Sequence, residues 1–480
     1  YPHGQRIPRE LARVWNYTYE AQTYRVKHAA LPWASQTRPI EESFAGLVDV
    51  RNFPDGWQSN NPKNSRASLF FWYFPCIEES ISPSEPPPLI IWLQGGPGSS
   101  SMIGLFNEMG PLRVSPELTL MRHNASWNEK ASMLFIDNPV GVGYSAVQPP
   151  SASYEFSSQS KTSYYNGYVA NQEAVARDLV IFLEKFYSLF PEQRIAPLYL
   201  TGESYAGKYI PSFANRIISY NEKISHSNSS NIKTNQYIPL HGIGIGNGLT
   251  DPTTQILSHA PLALAMGLVS KKQANVLEYH ARDAIEKAER GEFRAATLAR
   301  NEIFAAFKNY TGNINPYDIR KGSLQNSWAD MEALLNIDAV KKALNVPSDL
   351  KFEKDPAVAE ALFEDGMKSV KHVVEGLLTK QQFSHEGKLK KNLKVLLYQG
   401  QFDYRDGVLS SNDWISGLNW NGQKQFDEAS REIWKINNSV VGYKTKYAQL
   451  TRFIVLHAGH LAPKDSPDAT REMMFDFIEK

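Results

Sequence analysis

The chain has 480 residues, of which 42% are hydrophobic, and its 51 Lys and Arg residues nearly balance its 50 Asp and Glu residues. The formal net charge of +1 excludes a global electrostatic attraction to nucleic acid or to an anionic membrane, and the hydrophobic content excludes a disordered chain. The single cysteine, Cys76, excludes an intrachain disulfide and a cysteine-based zinc or iron–sulfur site.

Short apolar runs rich in β-branched and aromatic residues predict a series of buried strands. They lie at Leu89–Leu93, Met133–Ile136, Leu198–Leu200, Ile243–Ile245, Val395–Tyr398 and Phe453–Leu456. Runs that are apolar on both faces are typical of a parallel sheet covered by helices on both sides. Apolar residues at steps of three and four predict a helix over Gln172–Leu189, which Pro191 ends. This alternation indicates an open α/β sheet, and no run of 18 apolar residues predicts a membrane span.

The first of these strands runs into a glycine-rich loop at Trp92–Ser100. No Gly-Lys-Ser/Thr follows the loop, so the sequence excludes a nucleotide-binding P-loop there. In a hydrolase, the backbone N–H groups of such a loop stabilise an oxyanion. A plain strand-to-turn connection is the alternative.

A second glycine-rich segment, Thr201–Gly207, follows the strand at Leu198–Leu200. Small residues around Ser204 permit the strained strand-to-helix turn that exposes a nucleophilic serine, although Ala206 takes the place of the usual last glycine. The N–H of Tyr205 is then the second oxyanion donor. Alone, the motif is equally compatible with a serine in an ordinary turn.

A helical stretch interrupts the series of strands between residues 254 and 347. It is rich in Ala, Lys and Glu, and its pattern predicts helices such as Lys271–Lys287 and Phe293–Lys308. We expect an inserted helical cap over 254–347, between a first part of the sheet domain at 1–253 and a second part at 348–480.

Two later strand ends supply partners for Ser204. The strand at Val395–Tyr398 leads to Asp403, and the strand at Phe453–Leu456 leads to His460. The order Ser, Asp, His is that of α/β-hydrolase triads, and the C-terminal ends of parallel strands meet at one edge of a sheet. We expect His460 as the general base and Asp403 as the group that orients it.

Two neighbouring residues are alternatives for these roles. His457 is a rival base, although it ends a strand whereas His460 follows an Ala-Gly pair that gives it freedom to reach the serine. Asp406 is a rival for Asp403. A zinc site at His457 and His460 lacks a third ligand at a sensible spacing, so no metal is expected.

Together the motifs resemble the serine carboxypeptidases (peptidase family S10), which remove single C-terminal amino acids. The matching segments are Trp92–Ser100, Glu108–Pro111, Ile136–Ser145, Gly202–Pro211, Ile245–Pro252 and His457–Pro463. They follow the family's order over about 46–478, which is nearly the whole chain. The resemblance implies an α/β-hydrolase fold, with a mostly parallel sheet flanked by helices, and an acyl-enzyme reaction without a cofactor.

The resemblance also implies roles for single residues. Ser204 corresponds to the nucleophile, His460 to the base and Asp403 to its orienter. The backbone N–H groups of Gly96 and Tyr205 correspond to the oxyanion hole.

In the family, the free carboxylate of the substrate is bound at positions that correspond here to Gln94, Gly95, Glu108 and Glu203. A carboxyl side chain repels a carboxylate unless one of the two is protonated, and paired carboxyls raise one pKa strongly. We therefore expect tight substrate binding at acidic pH, in conflict with the need for a neutral His460.

The chain departs from the family pattern at several positions. Gln94 replaces the usual Asn, Ser99 a common Cys, and Gln401 a frequent Asp. Asp406 stands where a Cys often lines the pocket on the acyl side of the scissile bond. We expect it either to favour basic residues in that pocket or to pair with a cation such as Arg405.

Three further residues are expected near the substrate. Tyr144 is predicted to border the acyl-side pocket, with a core position as the alternative. Ile103 and Leu461 are predicted to line an apolar pocket for the leaving amino acid.

The sequence thus predicts a serine carboxypeptidase acting on peptide and protein C-termini, with no nucleic acid as partner. An acyltransferase or esterase on the same scaffold, and a catalytically silent protective or binding subunit, are the alternatives. The Glu108/Glu203 pair favours a carboxylate-bearing substrate, and the intact triad argues against a silent subunit. A monomer and a homodimer are both open.

The resemblance implies a secreted or vacuolar/lysosomal protein of the secretory pathway, against the cytosolic indication of a cysteine-poor chain. Candidate glycosylation sequons stand at Asn16, Asn124, Asn228, Asn309 and Asn437, about the number expected by chance.

Overall fold

The computed structural model describes residues 17–35, 37, 39–40, 42–52, 66–78, 86–148, 167–226, 237–323, 328–379 and 392–479. The strands are β1 Phe44–Asn52, β2 Arg66–Phe74, β3 Leu89–Leu93, β4 Leu112–Val114, β5 Leu120–Arg122, β6 Ser132–Ile136, β7 Val142–Gly143, β8 Ala146–Gln148, β9 Leu198–Glu203, β10 Leu240–Gly246, β11 Glu353–Lys354, β12 Lys394–Gly400, β13 Glu432–Ile436, β14 Ser439–Tyr447 and β15 Leu450–Val455. The α-helices are α1 Tyr19–Thr23, α2 Met102–Asn107, α3 Gln172–Leu189, α4 Ala206–His226, α5 Pro252–Gln255, α6 His259–Ala265, α7 Lys271–Glu289, α8 Phe293–Thr311, α9 Ala329–Leu335, α10 Asp338–Ala343, α11 Pro356–Ala361, α12 Lys371–Thr379, α13 Val408–Ser416, α14 Gln423–Glu428, α15 Ala462–Asp465 and α16 Pro467–Glu479. Short 3₁₀ helices lie at His28–Ala30, Trp127–Glu129, Pro191–Ile195, Ile256–Ser258 and Glu364–Met367.

The largest sheet has 11 strands in the order β1-β2-β6-β3-β9-β10-β12-β15-β14-β13, with β8 paired to β2. The six strands from β6 to β15 in this order run parallel, and the outer strands are antiparallel. The sequence-based prediction of a mostly parallel sheet is therefore confirmed. Because β9, β12 and β15 point the same way, the segments that follow them meet at one edge of the sheet.

Both faces of the parallel strands are buried, which explains their continuous apolar sequences. In β3, Leu89, Ile91 and Leu93 belong to one hydrophobic cluster, together with residues of α3 and α4. Ile90 and Trp92 belong to a second cluster, together with residues of α2 and α16. Side chains alternate across a strand, so each helical layer covers one set.

Helix α3 spans the predicted residues. The Asn171 side chain accepts a hydrogen bond from the N–H of Ala174 and caps the first turn. The helix ends at Leu189, before Pro191. Its apolar residues at steps of three and four are buried against the sheet.

The helical region between β10 and β12 has two packing environments. Helices α6, α7 and α8 share a hydrophobic cluster of their own. Residues of α9 and α10 instead join a cluster that covers the sheet. Further helices continue to Thr379, before β12 begins at Lys394. The boundaries 254–347 of one inserted unit therefore stay a prediction.

The glycosylation sequons and the single cysteine differ in their exposure. Asn124, Asn309 and Asn437 are exposed, whereas Asn16 and Asn228 lie outside the described residues. Cys76 is buried. Within the described part of the chain, no helix is both long and apolar enough to cross a membrane.

Candidate active site

Ser204 lies on a sharp turn between β9 and α4. Its φ angle is 64°, in the left-handed region that residues with a side chain seldom adopt. Hydrogen bonds to β10 and to the loop after it hold this conformation. The Ser204 N–H donates to the Gly246 carbonyl at 3.0 Å, and the Ser204 carbonyl accepts from the Leu249 N–H at 2.9 Å. A Cβ atom on Gly202 would lie 2.7 Å from that of Ala206, so the turn needs the glycine but accepts the alanine.

Asp403 and His460 follow β12 and β15 and form a buried hydrogen-bonded pair. Asp403 Oδ2 lies 2.7 Å from His460 Nδ1, which places a proton on Nδ1 and leaves Nε2 as the acceptor. Nε2 is buried without a hydrogen-bond partner among the described residues, and His460 lines the same cavity as Ser204. Burial favours the neutral imidazole, but Asp403 outweighs it and raises the pKa of His460 above 6.5. The rival base His457 is exposed.

Asn247 is a site residue that the sequence reasoning did not assign. Its Nδ2 donates to Asp403 Oδ2 at 2.7 Å, while its Oδ1 accepts from the Gly400 N–H at 3.1 Å. The backbone N–H groups of Arg405 and Asp406 also donate to the Asp403 carboxylate, at 2.8 and 3.2 Å. Together these donors fix the orientation of the Asp403 carboxylate. The position of Asn247 in the sequence could have indicated this role, because Asn247 follows β10 at the same edge of the sheet as Asp403 and His460.

The glycine-rich loop after β3 lies against the Ser204 turn. A Cβ atom on Gly95 would stand 2.5 Å from the Tyr205 nitrogen and 2.7 Å from the Ser204 Cβ, so only glycine permits this approach. Gly96 has a φ of 112° and lines the cavity. The loop that carries Gly96 therefore packs directly against the turn that carries Ser204 and Tyr205.

Asp137 holds this loop from the interior. Its Oδ1 accepts from Ser100 Oγ at 2.5 Å and from the Ser101 N–H at 3.0 Å. Burial raises the pKa of Asp137 to about 7. The side chain of Ser101 in turn accepts from the Gln94 N–H at 3.1 Å, so the loop is anchored at both ends.

Gln94, Glu108 and Glu203 form a buried cluster beside Ser204. Gln94 Nε2 donates to Glu203 Oε1 at 3.0 Å, and Gln94 Oε1 accepts from Trp92 Nε1 at 2.8 Å. Glu108 is buried and interacts electrostatically with Glu203, and neither of its carboxylate oxygens has a hydrogen-bond partner among the described residues. Burial, followed by the charge of Glu108, raises the pKa of Glu203 well above its ordinary value, and burial raises that of Glu108 to about 7. Below neutral pH this cluster is uncharged and offers proton donors.

A cavity of about 770 Å³ is lined by Ser204, His460, Gln94 and Glu203, and its walls also include Ile103 and Leu461. Charged side chains also line this cavity, so its wall is not the purely apolar one that the sequence predicts for the pocket of the leaving residue. Residues of the helical region that the sequence reasoning missed are Asn315, Tyr317, Asp318, Lys321 and Trp328. No local motif marks them, since they lie between α8 and α9 and reach the site only through the packing of the helical region.

Tyr144 and Asp406 do not line this cavity, and their expected place in the acyl-side pocket stays a prediction. Tyr144 is buried, and its hydroxyl donates to the Leu335 carbonyl. Asp406 is buried next to Asp403; its Oδ1 accepts from Gln255 Nε2 at 3.4 Å and lies 4.0 Å from Arg300 Nη2. The local cation that pairs with Asp406 is thus Arg300 of α8.

The order of the sheet and the turn between β9 and α4 define an α/β-hydrolase. The sequence model of the serine carboxypeptidase family matches residues 55–480. The chain is 34% identical over 453 residues to a probable serine carboxypeptidase CPVL of Dictyostelium discoideum, covering 92% of this chain and 80% of that one. It is 36% identical over 419 residues to serine carboxypeptidase-like 50 of Arabidopsis thaliana, covering 87% and 85%.

A solved structure supports the same assignment. Kex1(delta)p, a prohormone-processing carboxypeptidase from Saccharomyces cerevisiae, matches with a TM-score of 0.77 at 27% identity, over 95% of this chain and 96% of that one. The chain therefore belongs to the serine carboxypeptidase family. The sequence-based prediction of a serine-type peptidase on an α/β-hydrolase fold is confirmed.

Proposed function

We propose that Ser204, His460 and Asp403 hydrolyse the last peptide bond of a peptide through an acyl-enzyme. Ser204 Oγ attacks the carbonyl carbon while its proton moves to His460 Nε2. The C–N bond then breaks, and the leaving amino acid takes that proton on its nitrogen. Water attacks the acyl-Ser204 ester with His460 again as base, which releases the shortened peptide and restores the serine.

The hydrogen bonds around Asp403 support these roles. Its carboxylate, held by Asn247, fixes the His460 ring by accepting from Nδ1–H and stabilises the imidazolium that forms during attack. The N–H groups of Gly96 and Tyr205 are the proposed donors to the oxyanion. One such donor is worth about 10²–10³ in kcat.

The observation that carries the proposal is the buried cluster of Gln94, Glu108 and Glu203 beside the serine. Two carboxyls and one amide, with Gly95, form a site for the free C-terminal carboxylate of a peptide. With its protons in place the cluster donates hydrogen bonds to that carboxylate, and with a net charge it repels it. We therefore propose a preference for acidic conditions in substrate binding.

A time course on a peptide of known sequence, read by mass, tests this function. We expect stepwise loss of single residues from the C-terminus, and resistance of the same peptide with an amidated C-terminus. Ser204→Ala should abolish both turnover and labelling by a serine-directed phosphonate, whereas the control Ser188→Ala, on the exposed side of α3, should keep both.

Other outcomes of this experiment contradict the proposal. Cleavage of esters with all peptides left intact would instead identify an esterase or acyltransferase. A wild-type protein that neither cleaves nor takes the label would identify a silent binding or protective subunit.

We also propose the secretory route, with a secreted, vacuolar or lysosomal destination and 254–347 as one inserted unit. The exposed sequons Asn124, Asn309 and Asn437 are compatible with glycosylation. The protein can be expressed in a eukaryotic cell with a secretion signal. Enzymatic deglycosylation of the secreted protein should then lower its mass. An unchanged mass would contradict glycosylation of the sequons.

A further inference from the structure

We propose that Lys464 makes the enzyme prefer peptides whose C-terminal residue is aspartate or glutamate. The inference rests on the proposed function, because it concerns the amino acid that leaves in that reaction. It assigns a specificity-determining residue that is not part of the triad, the oxyanion hole or the carboxyl cluster.

The position of Lys464 carries the first step. Lys464 belongs to the short helix α15, which begins two residues after His460. It lines the cavity together with Leu461 and Glu203. His460 is proposed to protonate the leaving nitrogen, and Glu203 to bind the α-carboxylate of the same residue. The ammonium group of Lys464 therefore lies on the side of the leaving amino acid.

The contacts of Lys464 keep it at the wall. Its Nζ lies 5.2 Å from the centroid of the Trp328 ring, a cation–π contact with another cavity residue. Within the described residues it forms no ion pair. Partial burial and the charge of Lys321 lower the pKa of Lys464, and the attraction from Glu108 and Asp465 is longer-range and does not offset them. The cation is therefore available to a ligand.

The two aspartates of the cavity wall do not reverse this argument. Asp318 pairs with Arg320 at 2.7 Å and with Lys321 at 2.8 Å. Asp465 pairs with Lys321 at 2.9 Å and with Arg320 at 3.6 Å. Two cations thus balance two carboxylates in a closed network, and Lys464 adds a positive charge to the wall beyond it.

The expected size of the effect follows from exposure. Lys464 is accessible to solvent, so a contact with a substrate carboxylate is worth much less than a buried ion pair. We expect about a threefold to fivefold preference in kcat/KM for a C-terminal Glu over the isosteric Gln.

The experiment compares N-blocked dipeptides that differ only in a C-terminal Glu, Gln or Lys. For the wild type we expect a Glu/Gln ratio of kcat/KM of about 3 or more. Lys464→Met, which keeps the apolar stem over Trp328, should bring the ratio to about 1. Lys464→Glu should reverse the order in favour of Lys. The control Lys272→Met, on the exposed surface of α7, should keep the wild-type ratio.

Three results would overturn the inference. The first is a wild-type enzyme that prefers Gln or Lys to Glu. The second is a Lys464→Met variant that loses the same factor on Glu and Gln, because that would assign Lys464 to the α-carboxylate common to both. Release of no C-terminal residue from any dipeptide would overturn the proposed function itself, whereas the first two results leave that function intact.

Discussion

Replacing Glu108 with glutamine should change how substrate binding depends on pH. Burial raises the pKa of Glu108 from 4.5 to about 7. Compared with an exposed glutamate, the folded protein therefore favours the protonated form of Glu108 over the ionised form by about 3 kcal/mol. Glu203 keeps its proton to higher pH, because burial and Glu108 raise its pKa well above the ordinary value. Above pH 7 the cluster therefore gains one buried negative charge at the proposed site of the substrate carboxylate.

The expected change in KM follows from this titration. If only the uncharged cluster binds substrate, about ten of eleven molecules are ionised at pH 8, and KM is about tenfold above its acidic limit. At pH 5 the correction is negligible. Glu108→Gln carries no charge at any pH, so its KM should stay nearly constant from pH 5 to 8.

A stability measurement gives a second readout. The unfolded chain loses the proton of Glu108 near pH 4.5, whereas the folded chain keeps it to about pH 7. Between these values the folded state binds more protons, so its stability falls as the pH rises. Relative to Glu108→Gln, the wild type should lose up to about 3 kcal/mol between pH 4.5 and pH 8.

The assay is steady-state hydrolysis of an N-blocked dipeptide with a neutral C-terminal residue between pH 4.5 and 8.5. The matched control is Glu192→Gln, because burial also raises the pKa of Glu192 to about 7 but its 3₁₀ helix lies outside the cavity. The control should reproduce the wild-type profile. A wild-type KM that is flat from pH 5 to 8, or a Glu108→Gln variant with the same rise, would refute the role of the carboxyl pair.

Three further perturbations test other parts of the site. Asn247→Ala removes a donor to Asp403 and should lower kcat about tenfold or more in steady-state kinetics, with KM nearly constant. A higher KM with an unchanged kcat would contradict this. Gly95→Ala places a Cβ atom 2.5 Å from the Tyr205 nitrogen and should lower kcat by about 10² or more, checked on protein that melts like the wild type. Because Cys76 is a buried lone cysteine, a reducing agent should leave the melting temperature unchanged; a large drop would mean a disulfide to another chain.

Most of the sheet could be predicted from local sequence because local physics determines it. The run Leu89–Leu93 is a strand with those bounds, and β9 and β12 extend the predicted runs by only a few residues. Strands buried on both faces need a continuous apolar sequence. Such a run can be recognised without knowing which strands and helices pack against it. The positions of Ser204, Asp403 and His460 follow from it, because each comes soon after the end of a parallel strand.

The cavity wall could not be predicted in the same way. Tyr317 contacts His460 with ring centroids 4.9 Å apart, and its carbonyl accepts from the His460 N–H at 2.7 Å. The sequence around Tyr317 predicts neither contact, because both depend on how the helical region packs against the end of the sheet that carries His460. The partner of Asp406 could not be predicted for a related reason, because its chain position next to Asp403 does not reveal which way the side chain points.

Asp365 shows how far the site depends on contacts distant in sequence. Its Oδ2 accepts from the Tyr205 hydroxyl at 2.6 Å and from Gln172 Nε2 at 2.7 Å, and it lies 3.3 Å from Lys208 Nζ. The Lys208 side chain is fully buried, so its charge needs this partner. Asp365 is 160 residues from Tyr205, in a 3₁₀ helix of the helical region. The Gly-Glu-Ser-Tyr-Ala motif therefore determines the turn. The ring of Tyr205, whose N–H is the proposed oxyanion donor, is held by Asp365, which lies outside the motif.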